Sequence, residues 1–118
     1  MSVTIFHNPG CSKCRQSLCL LEEQGEDVQI VEYLQSPPSA TELKRILSLL
    51  QKRPRDILRT HEDEYLQAGL DDMTLSDDDV IEKMIAFPRV IERPIVVHGD
   101  KAVIGRPPEN VLRLFDGG

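Results

Sequence analysis

The sequence predicts an α/β protein with a mixed four-stranded sheet, in which a β-α-β segment comes first and a β-β-α segment comes last. Near the start, two short apolar stretches flank a stretch of helical periodicity, which is typical of parallel strands joined by a helix. Near the end, two apolar runs lie on either side of Gly99-Asp100, a pair of turn residues that predicts an antiparallel hairpin. Helical patterns over about 39–90 separate the two segments.

The first β-α-β segment is defined by its apolar periodicity and by one glycine. Apolar residues predict a strand over residues 2–7. Leucines at helical spacing predict a helix over residues 12–24, which Gly25 ends as a C-terminal cap. A second apolar stretch over residues 28–33 predicts the strand that pairs in parallel with the first.

The central helices are marked by capping residues. Ser39, followed three residues later by Glu42, forms the pattern of a capping box and predicts a helix through Leu50. Further helical segments are predicted at residues 55–59, 63–68 and 75–87, the last with Ser76 as N-cap. The aspartates at 77–79 fit the positive end of that helix better than a metal site, because consecutive helical side chains point in different directions.

The last segment completes the sheet and adds one helix. Residues 95–98 and 102–104 predict the two strands of the hairpin, and Pro107-Pro108 begins a final helix. Together with the strand, turn, cysteine and helix at the start, this layout predicts a thioredoxin-like sheet. We expect a single domain over residues 1–118 with a helical insertion at about 39–90.

Composition and charge exclude several classes of function. The chain has 118 residues and a net charge of -6, which argues against nonspecific nucleic-acid binding. No apolar run approaches the ~18 residues of a membrane span, and no leader pattern is visible. Three cysteines are an odd number, so a full disulfide framework is not expected. We therefore expect a cytoplasmic protein that acts without a membrane or nucleic acid.

Cys11 is the first candidate for chemistry. It follows the turn residues Asn8-Pro9-Gly10 and stands directly before the first backbone N–H groups of the predicted helix. Those donors and the helix dipole stabilise an anion, so the Cys11 thiol is expected to have a pKa below that of a free cysteine. His7 and Arg15 are expected to add positive potential. A nucleophilic thiolate beside an anion site is the chemistry that this pattern indicates.

Cys14 completes a C-x-x-C pair with Cys11, and its role stays open. A zinc site needs about four ligands, and no second Cys or His pair follows at finger spacing, so no metal is expected. Cys14 shares a helical stripe with Leu18 and Leu21. It is therefore either a resolving thiol for Cys11 or a small buried residue of the core.

Three arginines are candidates for binding an oxyanion. Arg93 precedes Pro94 at the start of the hairpin, and Arg106 precedes Pro107 at its end, so antiparallel pairing brings the two arginines together. Arg59 ends the helical segment predicted at 55–59. The guanidinium group is a planar fork of N–H donors that suits tetrahedral oxyanions.

Four motifs in this order resemble the short bacterial branch of the glutaredoxin-linked arsenate reductase family over essentially the whole chain. They are His7-Asn8-Pro9-Gly10-Cys11, Ile57-Leu58-Arg59, Arg93-Pro94-Ile95-Val96-Val97 and Gly105-Arg106-Pro107. The resemblance implies that Cys11 is the nucleophile and that His7, near it, is a second catalytic residue. It also implies that Arg59, Arg93 and Arg106 bind the oxyanion and that Pro94 is the cis proline beside the site.

The same resemblance implies an activity and a partner. It implies the reduction of arsenate to arsenite, with the Cys11 thiolate attacking arsenic, glutathione as the reductant and glutaredoxin as the protein partner. No bound cofactor and no metal are implied.

Two alternatives follow from the C-x-x-C pair. Cys11 and Cys14 also resemble the switch of redox-sensing transcription regulators in the same superfamily, which bind RNA polymerase. Their pattern lacks the His-Asn-Pro approach to the cysteine and the Gly-Arg-Pro element, and both are present here. A general thiol–disulfide oxidoreductase is the third hypothesis.

Overall fold

The computed structural model describes residues 3–115, and the chain divides into two compact units. The first unit contains the chain up to Ser36 and from Arg93 onwards, and the second contains Pro37–Glu92. The second unit corresponds to the helical insertion predicted at about 39–90. The expectation of a single domain over 1–118 stays a prediction, and Ser2, in the first predicted strand, lies outside the described residues.

The first unit contains a mixed four-stranded sheet, and the predicted fold class is confirmed. The strand order is β2-β1-β3-β4. Strand β1 is parallel to β2 and antiparallel to β3, and β3 is antiparallel to β4. The strands are β1 (Val3–Phe6), β2 (Val28–Val31), β3 (Ile95–His98) and β4 (Lys101–Ile104).

Helix α1 (Ser12–Glu23) joins β1 to β2 and ends as its sequence predicts. Gly25, just beyond the helix, has φ +77°, a conformation that glycine adopts without the steric cost of a Cβ. The core of this unit is aliphatic because the sequence supplies few aromatic residues. Its buried members are Val3, Ile5, Leu21, Val96, Val111 and Leu114.

Two elements of this unit differ from the sequence prediction. Strand β2 ends at Val31, and Tyr33 lies in a turn that follows Glu32, where it is 1% exposed. The apolar character of Tyr33 therefore reflects burial and not strand pairing. The final helix is a 3₁₀ segment, Pro108–Phe115, whose buried residues recur every three positions, which is the 3₁₀ repeat.

The second unit contains three α-helices and two 3₁₀ segments. They are α2 (Ala40–Leu50), Pro54–Ile57, α3 (Asp63–Gln67), α4 (Asp77–Ala86) and Pro88–Val90. Ser39 Oγ accepts the backbone N–H of Glu42 at 3.1 Å, as predicted for the N-cap of α2. Ser76 and Asp79 cap each other's backbone N–H groups at the start of α4, which accounts for an acidic residue there.

Arg59 stands at a different place from the one that the sequence predicts. The helical turn ends at Ile57, and Leu58 pairs with Ile91 in an isolated antiparallel bridge. The backbone N–H of Arg59 donates to Val90 O at 2.7 Å, so a bridge between two extended segments positions this arginine.

None of the helices within residues 3–115 has the length and apolar character needed to cross a membrane.

Candidate active site

Cys11 is the N-cap residue of α1. Its backbone is extended, with φ -100° and ψ 123°, and its carbonyl accepts the N–H of Arg15 at 3.1 Å. Asn8 shapes the preceding turn, since its carbonyl accepts the N–H of Cys11 and its side-chain oxygen accepts that of Gly10, both at 2.9 Å. The turn therefore places the thiol at the helix N-terminus, where the sequence predicts it.

The environment of Cys11 favours the thiolate. Burial raises the pKa of this thiol, and Cys11 is only 8% exposed. Hydrogen bonds from the backbone N–H of Cys14 and the Arg93 side chain act in the opposite direction, with smaller contributions from the Cys14 thiol and the Lys13 N–H. The net result lowers the pKa of Cys11 to about 7, the direction expected at a helix N-terminus.

Cys14 has the opposite environment. It is fully buried, and burial raises its pKa to about 11, although a backbone hydrogen bond with Asn8 partly offsets the rise. The neighbouring Cys11 raises the pKa of Cys14 further. Cys14 therefore stays protonated at neutral pH and donates its S–H to the Cys11 sulfur.

Two of the three predicted arginines lie beside Cys11. Arg106 Nη2 is 3.7 Å from Cys11 Sγ, and Arg106 Nε donates to the carbonyl of Arg93 at 2.7 Å. Burial lowers the pKa of the Arg93 guanidinium, but hydrogen bonds with Cys11 and Tyr33 raise it above its ordinary value. The paired ends of the hairpin thus bring two guanidinium groups to one sulfur, and guanidinium groups suit tetrahedral oxyanions.

The loops that carry these arginines each contain a cis peptide bond. The Arg93–Pro94 bond is cis, in the position where the family resemblance implies a cis proline. The Arg106–Pro107 bond is also cis, and no pattern in the sequence indicates this.

His7 lies at the end of β1, where it is 6% exposed and its backbone N–H donates to Val31 O. Burial lowers the pKa of His7; Glu32 opposes this shift and Arg15 adds to it. Burial thus opposes the positive charge expected of His7, and a catalytic role for His7 stays a prediction. The charge on Arg15 remains, and its Nη1 donates to Pro9 O at 2.7 Å, which braces the turn before Cys11.

Arg59 belongs to the second unit, where two carboxylates hold it. Arg59 Nε is 3.2 Å from Glu62 Oε1, and Arg59 Nη1 is 3.1 Å from Glu92 Oε1. These ion pairs orient the guanidinium group within that unit. Its contribution to an oxyanion site stays a prediction from the family resemblance.

Tyr33 is the residue of this site that sequence reasoning missed. Its phenol borders the Arg93 guanidinium, although the two residues are sixty positions apart in the chain. The aromatic residue after an apolar strand predicts burial, and nothing in its local pattern indicates a contact with an arginine. Within residues 3–115, no three or more His, Cys, Asp or Glu side chains are grouped to hold a metal ion.

The mixed sheet, the cysteine at the first helix and the cis proline beside it define a thioredoxin-like protein. Residues 6–114 match the sequence model of the ArsC family. The chain belongs to this family.

Relatives of this chain include proteins with and without an activity in their name. An Escherichia coli protein named "Uncharacterized protein YfgD" is 44% identical over 113 residues, which is 95% of each chain. A Haemophilus influenzae protein named arsenate reductase is 44% identical over 116 residues, covering 98% of this chain and all of that one. The solved structure of an arsenate reductase from Vibrio cholerae has a TM-score of 0.91 and 47% identity, covering 97% of this chain and 98% of that one.

Proposed function

We propose that this protein reduces arsenate to arsenite, with the Cys11 thiolate as the nucleophile, glutathione as the reductant and glutaredoxin as the partner. The observation that carries the proposal is the pairing of a thiol whose pKa is about 7 with Arg93 and Arg106 at its sulfur. Membership of the ArsC family and relatives named arsenate reductase support the choice of oxyanion.

The first step is attack of the Cys11 thiolate on arsenic(V). An S–As bond forms, and an arsenate oxygen leaves as water once it is protonated. Arg93 and Arg106 are placed to offset the negative charge on the remaining oxygens, because guanidinium groups suit tetrahedral oxyanions. By the family resemblance, Arg59 is a third arginine of this kind.

The second stage supplies two electrons. A glutathione thiolate attacks the arsenic adduct and displaces a second arsenate oxygen, which leaves as water once it is protonated, and a thiol of glutaredoxin then attacks the glutathione sulfur. Arsenic goes from the pentavalent to the trivalent state, the two sulfurs join as a mixed disulfide, and hydrolysis of the remaining S–As bond releases arsenite and the Cys11 thiol. This sequence uses one thiol of the protein and no bound cofactor.

The proposal assigns Cys14 a supporting role. Its pKa of about 11 keeps it protonated, so it is a poor nucleophile toward the arsenic adduct in the reduced protein. A cytoplasmic location is part of the proposal, because glutathione and glutaredoxin act in that reducing compartment.

The direct test is arsenite formation by the purified protein supplied with glutathione and glutaredoxin. Wild type should turn over, and Cys11→Ser, with an otherwise intact site, should not. Omission of glutaredoxin should stop turnover in wild type. Absence of activity at millimolar arsenate, with Cys11 still reactive toward an alkylating reagent, would overturn the substrate.

A further inference from the structure

Gly105 connects strand β4 to Arg106 at a closely packed point of the first unit. Its backbone N–H donates to Pro94 O at 2.9 Å, which extends the hairpin beyond its last strand pair, Ile95 and Ile104. The next hydrogen bond joins Arg106 Nε to the Arg93 carbonyl. Hydrogen bonds therefore join the end of β4 to the start of β3 at the positions of both arginines.

No side chain fits at Gly105. A Cβ there would lie closer to Ser17 Oγ than van der Waals contact allows, and it would be 2.8 Å from Pro94 Cγ. The φ of Gly105 is outside the left-handed region, so space and not backbone conformation excludes the side chain. Gly105, Ser17 and Pro94 are all buried, so none of them can move aside into solvent.

This contact joins the two parts of the site. Ser17 lies on α1, the helix that presents Cys11 at its N-terminus, and Gly105 directly precedes Arg106. Cys11 Sγ and Arg106 Nη2 are 3.7 Å apart, close to the limit for a hydrogen bond to sulfur. A displacement of α1 from the hairpin by about 1 Å would therefore break it, and errors of that size are costly at reacting groups.

We infer that Gly105 is a positioning residue for the Cys11 thiolate. Because it has no Cβ, Ser17 packs directly on its backbone, and this close approach holds the N-terminus of α1 against Arg93 and Arg106. The inference concerns the ionisation of Cys11 and is independent of which oxyanion the protein reduces. Ser17 Oγ has no hydrogen-bond partner within the described residues, so its contribution at this contact is its small size.

The test is the pH dependence of Cys11 alkylation by iodoacetamide, followed by mass spectrometry of the Cys11 peptide. A Cys19→Ser background removes the exposed third cysteine. Gly105→Ala should raise the midpoint from about 7 toward the ~8.5 of an ordinary cysteine, which slows alkylation at pH 7 about tenfold. Circular dichroism establishes that the variant is folded.

Ser17→Ala is the matched control. It removes a buried hydroxyl that has no partner, so it should leave both the fold and the Cys11 midpoint unchanged. Combined with Gly105→Ala, it should return the midpoint part of the way, because the closest contact is relieved while the one with Pro94 remains. If Gly105→Ala alone does not fold, the double variant and Ser17→Thr, which adds a methyl group on the other side of the contact, take its place.

Two results would overturn the inference. One is a folded Gly105→Ala or Ser17→Thr variant whose Cys11 midpoint stays at that of wild type. The other is an equal rise in Gly105→Ala and in the double variant, which would assign the effect to the contact with Pro94 and not to the contact with Ser17.

Discussion

At the scale of single residues, two cysteines three positions apart have pKa values that move in opposite directions. Cys11 has donors on its sulfur and a pKa of about 7, while Cys14 is enclosed and has a pKa of about 11. The separation assigns one residue to nucleophilic attack and keeps the other as a protonated donor. Burial raises the pKa of both thiols, but hydrogen bonds to the Cys11 sulfur outweigh it at Cys11 and not at Cys14.

The first prediction concerns pH. The Cys11 thiolate should dominate above pH 7 and disappear below it, so alkylation and arsenate turnover should both fall as pH decreases through about 7. His7 should not contribute to this step, because its lowered pKa keeps it neutral there. The test is the alkylation rate of the Cys11 peptide measured at a series of pH values. A midpoint at or above ~8.5 would contradict an activated thiolate.

The second prediction concerns Cys14. Cys14→Ser keeps a hydroxyl donor near Cys11 and should retain most arsenate reduction, whereas Cys11→Ser should abolish it. Cys14→Ala removes the donor and should raise the Cys11 midpoint more than Cys14→Ser does. Steady-state kinetics and the alkylation profile report the two effects separately. Complete loss of activity in a folded Cys14→Ser variant would show instead that Cys14 resolves the intermediate.

The third prediction concerns the arginines. Arg93→Ala and Arg106→Ala should each reduce arsenate turnover roughly ten- to a hundredfold, since losing one charged hydrogen bond costs about 1.5–3 kcal/mol. Arg59→Ala should also reduce arsenate turnover, because the family resemblance implies that Arg59 binds the oxyanion. Lysine replacements should rescue only in part, because an ammonium group lacks the planar fork.

Arg93 also lowers the pKa of the Cys11 thiol through its hydrogen bond, so the assay must separate ionisation from oxyanion binding. Kinetics at a pH about two units above the wild-type Cys11 pKa will bring most of the thiol into its ionised form in wild type. A defect that persists there belongs to oxyanion binding, and sulfate or phosphate should compete with arsenate in wild type. Wild-type kinetics in all three alanine variants would contradict the anion site.

At the scale of elements, caps and hairpin ends determine where the structure begins and ends. Ser39 and Ser76 begin helices as their sequence patterns predict, because a side-chain acceptor satisfies backbone donors that the helix leaves open. The β3–β4 hairpin brings Arg93 and Arg106 together for an equally local reason, since its two ends must lie side by side. Short stretches of sequence are therefore enough to predict where these helices begin and that Arg93 and Arg106 lie close together.

The fourth prediction tests one of these caps. Ser76→Ala removes the acceptor for the Asp79 N–H, 3.1 Å away, and should lower the free energy of unfolding by about 1 kcal/mol. Urea denaturation measures the loss. Leu66→Ala, at an exposed position of α3, is the control and should change stability much less. Equal effects of the two substitutions would show that the cap contributes nothing particular.

At the scale of the whole molecule, the sequence predicts the sheet and part of the site, and burial determines the rest. Cys11, Arg93 and Arg106 could be placed because each stands at the end of a recognisable element. The neutral state of His7 and the contact of Tyr33 with Arg93 could not be predicted. Both depend on which residues enclose a group after folding, and local patterns do not carry that information.

The contact between Cys11 and Arg106 joins residues 95 positions apart, and it has a consequence for synthesis on the ribosome. While only the N-terminal part of the chain has emerged, Cys11 lacks both hairpin arginines and is closer to an ordinary, slowly reacting thiol. Its full reactivity arises only after residues 93–106 have been made and β3 has paired with β1. The low pKa of Cys11 is therefore a property of the completed chain and not of the segment that carries the cysteine.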